Sequence, residues 1–299
     1  MHIAPAMTTT PPSPRPLDHL VLPTASLEVA RARLGSLGFI VAPTGLHPFG
    51  TENCCVFLAD GTYLEPLAVG SEQIAGNAIA KGNVFVARDR IYRDKCGNEG
   101  FSAVALGTRN ADQDHARYVE ADLSAGDMLS FSRAFTDATG KSDTASFKLA
   151  FASGSGATDA FLFACERINA PKGDRTALQA HANGATGTAE VVAVSDVPSE
   201  QHRLISIAAG IGEGDSDVFE LPNATLTVLD PAAIAERFGM PVGAPSKFRF
   251  AGIVFSVQRA DVVARLLVAN SIEHDIRGND IVVRPAPGQG AAFIFREIK

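Results

Sequence analysis

Two side chains far apart in the sequence carry most of the chemistry this chain could do. His19 lies in the apolar run LDHLVLPT (Leu17 to Thr24), where an aliphatic residue would be cheaper to bury. Glu65 lies in a similar run, TYLEPLAV. On a strand, alternate side chains share a face. That groups Leu17, His19 and Val21 on one side of the first run and Asp18, Leu20 and Leu22 on the other. It also groups Tyr63, Glu65 and Leu67. His19 and Glu65 can therefore face one cleft. An imidazole nitrogen with a carboxylate oxygen suits Zn, Fe(II), Mn, Ni or Co better than Ca or Mg. A buried His–Glu hydrogen bond without metal would use the same two groups. His47 precedes a proline in LHPFGTEN and so belongs to a loop. It could serve as acid or base, with Asn53 donating to a substrate oxygen, or the loop could be a rigid turn. His181 and Asn183, in HANGA, form either an inter-domain turn or an arm reaching back to the first cleft.

The elements that must position these residues recur. LDHLVLPT is followed by SLEVARARLGSLG, with Ser26 as N-cap and Gly38 as terminator. Strand-like FIVA, NCCVFLA and TYLEPLAV come next, with Asp60-Gly61 as a tight turn. The order is β-α-β-β-β. It returns at FSAVALGT, at TAEVVAVSD and at FRFAGIVFSV. Repetition at a near-constant period is evidence about architecture, and one such unit leaves a half-exposed sheet that needs a partner. The expected class is α+β: four βαβββ modules pairing into two domains with curved mixed sheets around clefts. Residues 1–15 read as a disordered tail. The first domain is expected over 16–172 (modules 16–70 and 101–168), the second over 173–299 (modules 187–230 and 248–298), with sequential modules paired. SGSGATDA, Ser153 to Ala160, reads as a hairpin loop, since it lacks the lysine of a phosphate-binding loop.

Composition removes several function classes. The chain has 299 residues and a formal net charge of -7, with 26 basic and 33 acidic side chains, so no basic groove for nucleic acid is expected. ARDRIYRDK, Ala87 to Lys95, is interrupted by aspartates and reads as a solvated face. No apolar run approaches the length of a membrane span. The N-terminus lacks the pattern of a secretory signal. The four cysteines form no C-x-x-C pair and read as reduced, mostly buried thiols in a cytoplasmic protein.

The paired modules opening on D-H-L-x-L and closing on L-E resemble the vicinal oxygen chelate superfamily, which includes glyoxalase I, extradiol dioxygenases and bleomycin-resistance proteins. More narrowly, DHLVL, HPFGTEN and Tyr63-Leu64-Glu65, with HANGA, resemble bacterial glyoxalase-like proteins. The resemblance implies metal ligands on the first and last strands of a module, here His19 and Glu65. Module two carries Ala103 at the His19 position; Glu166 is the expected third ligand, with Cys165 next. Modules three and four carry Glu190 and Gly252 at the same place, so the second domain is expected to be metal-free and structural. The implied cofactor is a divalent metal (Zn, Ni, Mn or Fe). The implied function is a metal-dependent lyase or isomerase on a small vicinal-oxygen substrate, with Glu65 and His47 as catalytic groups. Asn53, Tyr63 and His181 would bind substrate. The alternative is a metal-free protein of the same fold that sequesters a small molecule. A small molecule is the expected partner, a homodimer the expected assembly, and neither nucleic acid nor membrane is expected.

Overall fold

Leu17–Pro23 forms β1 because seven successive residues can all be buried in a sheet covered on both faces. The computed structural model describes residues 13–136, 142–154, 160–170, 174–240 and 247–298. Most of the expected tail (1–12), part of the Gly/Ser loop (155–159) and part of the expected boundary (171–173) lie outside the described residues. The end of that tail does not fit a disordered segment: Arg15 is buried, and its Nη2 lies 2.7 Å from Asp114 Oδ1.

After β1, the Ser26 hydroxyl accepts from the Glu28 and Val29 amides and starts α1 (Leu27–Ser36). The next strands are β2 (Gly45–Leu46), β3 (Thr51–Asn53), β4 (Val56–Phe57) and β5 (Tyr63–Val69). FIVA is not a strand. Its Ile40 amide donates to the His181 ring and its Ala42 amide to the Cys55 carbonyl, so the segment is satisfied without a ladder. Two helices then intervene, α2 (Glu72–Ala80) and α3 (Val84–Cys96). The charged run in α3 is only half solvated: Phe85, Val86, Asp89 and Tyr92 are buried, and Arg93 donates to the Leu67 carbonyl. The second module is β6 (Ala103–Thr108), α4 (Ala111–Glu120), β7 (Leu129–Thr136), β8 (Ser142–Ala152) and β9 (Phe161–Asn169). Short α5 (Thr176–Gln179) leads to β10 (Ala185–Val194), α6 (His202–Ala209), β11 (Val218–Glu220), β12 (Thr225–Leu229) and α7 (Pro231–Phe238). The chain closes with β13 (Arg249–Val257), α8 (Ala260–Ala269), β14 (Asp275–Arg277), β15 (Asp280–Val283) and β16 (Ala292–Glu297).

Among the described residues these strands make two mixed sheets. The first has the order β2-β3-β5-β1-β6-β9-β8-β7, and the second β11-β12-β10-β13-β16-β15-β14. In each sheet two modules meet antiparallel through their first strands, β1 with β6 and β10 with β13. Each first strand runs parallel to the last strand of its own module. That topology puts His19 and Glu65 near one another: His19 pairs with Tyr63 and Val21 with Glu65.

Every core strand has one face toward helices and one toward a cleft. The helix faces of both sheets merge in one apolar cluster that includes Leu20, Leu34, Phe39, Leu204, Phe255 and Phe293. Phe39 lies 5.2 Å from Phe255, ring to ring, across the two halves. The opposite faces carry separate clusters. Val21, Leu67, Phe85, Phe161 and Phe163 line the first, and Val192, Val254, Ile294, Ile234 and Phe238 the second.

Candidate functional site

A bulge in β1 builds the floor of the first cleft. Pairing with β6 shifts register between Leu17 and His19, so strict alternation fails there. Asp18 therefore turns beside His19 instead of opposite it. Its Oδ1 lies 2.7 Å from His19 Nδ1. Arg167, on β9, donates to both Asp18 oxygens, one through Nη2 at 2.6 Å. The His19 ring stacks on Tyr63 with centroids 4.5 Å apart, and Phe163 meets it edge-on at 5.4 Å.

Glu65 is the hub. Its Oε2 lies 3.4 Å from His19 Nε2, and its Oε1 lies 3.6 Å from His47 Nε2. Asn53 Nδ2 donates to Oε1 at 2.6 Å and lies 3.3 Å from His47 Nε2. His47 Nδ1 is 2.8 Å from the Thr51 hydroxyl. A neutral His47 that donates through Nδ1 to Thr51 keeps the Nε2 lone pair directed at this centre. The turn that delivers His47 needs Gly50, whose φ is +89° and whose Cβ would lie 2.6 Å from the Ala75 amide.

These groups hold unlike charges in a dry place. Burial pushes Glu65 up, but hydrogen bonding and charge from His19, with His47 and Asn53, bring it down to about 2. Burial pushes His19 down, yet Asp18 and Glu65 raise it above the ordinary histidine value. His47 is lowered to about 4, by burial first and then by the Arg133 and His19 charges, against the opposing charge of Glu65. At neutral pH, Glu65 is a carboxylate and His47 a neutral imidazole. On His19 a cation would compete with the proton that Asp18 and Glu65 favour.

The cleft around this centre encloses about 30 Å³, and about 400 Å³ once the space that opens to solvent is counted. Phe49, Phe85, Phe131, Phe147, Phe163 and Leu149 wall it, with Arg133 and Cys165. The expected site residues divide. His19, Glu65, His47 and Tyr63 meet there, and Asn53 sits behind Glu65. Glu166 does not join them. On β9 the cleft side takes Phe161, Phe163 and Cys165, while Glu166 faces the helices and accepts the Ala111 amide at the start of α4. Register makes Phe163 the counterpart of Glu65 and Ala103 the counterpart of His19, so module two supplies no donor at either position. His181 is also elsewhere. It accepts the Ile40 amide and bonds the Phe57 carbonyl, and Asn183 donates to the Leu37 carbonyl, together joining the two halves. Sequence reasoning missed Asp18, Arg167 and Arg133. The alternation of Phe131 with Arg133 along β7 was the available signal for the last.

In the second domain the matching space is filled. Glu190 is held by Arg237 at 2.7 and 2.6 Å and by Arg296 at 3.2 Å, and Arg296 reaches Asp280. Helix α7 lays Ile234 and Phe238 over the same face.

Two donor groupings could hold a metal. Among the described residues, Asp18, His19 and Cys165 have donor atoms all within 4.8 Å of one another. However, both Asp18 oxygens are bonded to Arg167, one of them also to His19, and burial pushes the Cys165 thiol well up. His19, Glu65 and His47 are the second grouping: the two Nε2 atoms approach different Glu65 oxygens, at 3.4 and 3.6 Å, and Asn53 Nδ2 bonds Glu65 Oε1. Two nitrogens and one carboxylate suit Zn, Fe(II), Mn, Co or Ni. Asp18 on the far nitrogen of His19 is the orienting partner that metal-bound histidines use.

Comparison with known proteins agrees with this architecture. The family model described as a glyoxalase-like domain matches residues 17–206. A hypothetical protein from Staphylococcus aureus superposes with a TM-score of 0.63 at 13% identity, over 94% of this chain and 99% of that one. A mutant of 4-hydroxymandelate synthase from Streptomyces coelicolor gives 0.57 at 14% identity, over 95% and 93%. At these identities the likeness is one of fold. No protein of curated function matches the sequence significantly. The paired modules, the His19–Glu65 centre and the family match together make this chain a member of the glyoxalase-like domain family, within the vicinal oxygen chelate superfamily.

Proposed function

We propose that the first cleft is the active site of a divalent-metal-dependent lyase or isomerase acting on a small substrate with two adjacent oxygens. The observation that carries this reading is the approach of two imidazole Nε2 atoms to one buried carboxylate, at 3.4 and 3.6 Å. His19, Glu65 and His47 would hold the cation. When bound, it would supply Lewis acidity toward the substrate oxygens and their developing negative charge. Asp18 fixes the His19 tautomer, and the Thr51 hydroxyl holds the His47 ring through Nδ1. Phe163 and Ala103 leave the opposite side without ligands, open to substrate. The aromatic walls exclude water.

The same donor set serves Fe(II) oxygenases; oxygen consumption during turnover would assign the protein to that class. A metal-free binding protein is the second reading. It is favoured by the loss of both module-two donors and by the apolar walls. Elemental analysis of protein purified without chelator, followed by turnover on 2-oxoaldehydes, 2-hydroxyketones and catechols, tests the proposal. Stoichiometric metal with metal-dependent turnover is expected. Metal-free protein that gains neither stability nor turnover from Zn, Ni, Mn or Fe(II) would support the binding reading instead.

A further inference from the structure

Arg133 lines the cleft without an acid to pair with. It follows Phe131 by two positions on β7 and shares that residue's side of the hairpin, toward the site. Its guanidinium carbon lies 5.9 Å from the centre of the Phe147 ring. No ion pair joins it to a carboxylate among the described residues. Asp18, in the same cleft, is held by Arg167. Gly45 leaves room for the guanidinium: a Cβ there would collide with Arg133 Nη1 and lie 2.5 Å from Asn53 Oδ1. The surrounding surface is aromatic, with half-buried Phe131 and Phe147 in the wall and buried Phe163 deeper in the cleft.

We propose that Arg133 receives the carboxylate of a small aromatic acid whose ring lies against Phe131, Phe147 and Phe163. A half-buried arginine with no internal acid offers a two-pronged, charge-assisted contact that a neutral substrate cannot use. Flat apolar walls supply area for a ring. The inference rests on reading the cleft as the substrate site, but not on the presence of a metal.

Phenylacetate and phenylacetamide, alike in shape and different in charge, are the probes. Calorimetric titration of wild type is expected to show the acid binding at least about tenfold tighter. Arg133→Met should reduce that preference to about twofold or less, with melting temperature and metal content unchanged. Arg133→Lys should keep part of it. Equal affinity for both probes, no binding of either at millimolar concentration, or a preference that survives Arg133→Met overturns the proposal. His19→Ala separates it from the metal reading. A preference that persists there supports Arg133 as the anion site. One lost there but kept in Arg133→Met belongs to the cation and overturns the proposal. Wild type that binds none of Zn, Ni, Mn or Fe(II) yet still prefers the acid would contradict the metal reading alone.

Discussion

His19 illustrates how one residue gains a role from its neighbours. Asp18 at 2.7 Å orients the ring through Nδ1 and leaves Nε2 for the cleft. Asp18→Asn is expected to lower divalent-metal affinity about 10- to 100-fold, as loss of such orienting partners does, while the circular dichroism spectrum stays that of wild type. Competition with a chromophoric chelator measures it; unchanged affinity would show that Asp18 does not set the ring. His19 and Glu65 were legible from residue type and strand alternation alone. Asp18 was not, because the bulge that turns it is set by pairing with β6, not by local sequence. Glu166 was misassigned for a different reason. Alternation along Phe161, Phe163 and Cys165 already placed it on the other face, and choosing a carboxylate by type overrode that pattern.

At the scale of elements, loops and inserted helices complete what the strands begin. The turn between β2 and β3 presents His47, α3 adds Phe85, and the β7–β8 hairpin adds Phe131, Arg133 and Phe147. Module repetition showed the strands, but it gave no sign that α7 would cover the second cleft. The joint after α5 makes its own prediction. His181 must be neutral at Nδ1 to accept the Ile40 amide, and burial lowers its pKa, against the opposing bond to the Phe57 carbonyl. The unfolded chain takes up this proton near pH 6.5 and the folded one only at lower pH. Stability should therefore fall as pH drops through 6.5, and the His181 part of that slope should vanish in His181→Phe. The variant should itself lose about 1 kcal/mol, because the part-buried Ile40 amide loses its acceptor. Urea unfolding of both proteins at pH 5 and pH 7.5 measures the two effects. Equal slopes would show that His181 titrates alike in both states.

For the whole molecule, the consequential feature is the shared core. Helix layers of both sheets merge around Phe39, Phe255 and Phe293, and Asn223 clamps the Leu17 backbone at 2.8 and 2.9 Å. The two halves should therefore unfold together, in one calorimetric transition whose van't Hoff and calorimetric enthalpies agree. Phe39→Ala should cost about 3–5 kcal/mol and still leave one transition. Two resolved transitions would show that the halves are independent. In the second half, Glu190, Arg237 and α7 fill the matching space.

We propose that His19, Glu65 and His47 form one cation site. Calorimetric titration of chelator-treated protein with Zn, Mn, Ni and Fe(II) tests this on wild type and on His19→Ala, Glu65→Gln, His47→Gln and Glu166→Gln. One site per chain is expected for at least one of these ions, with binding lost or weakened at least about 100-fold in the first three variants and unchanged in Glu166→Gln. Binding of none of the four ions to wild type, or binding that survives all three substitutions, would contradict it.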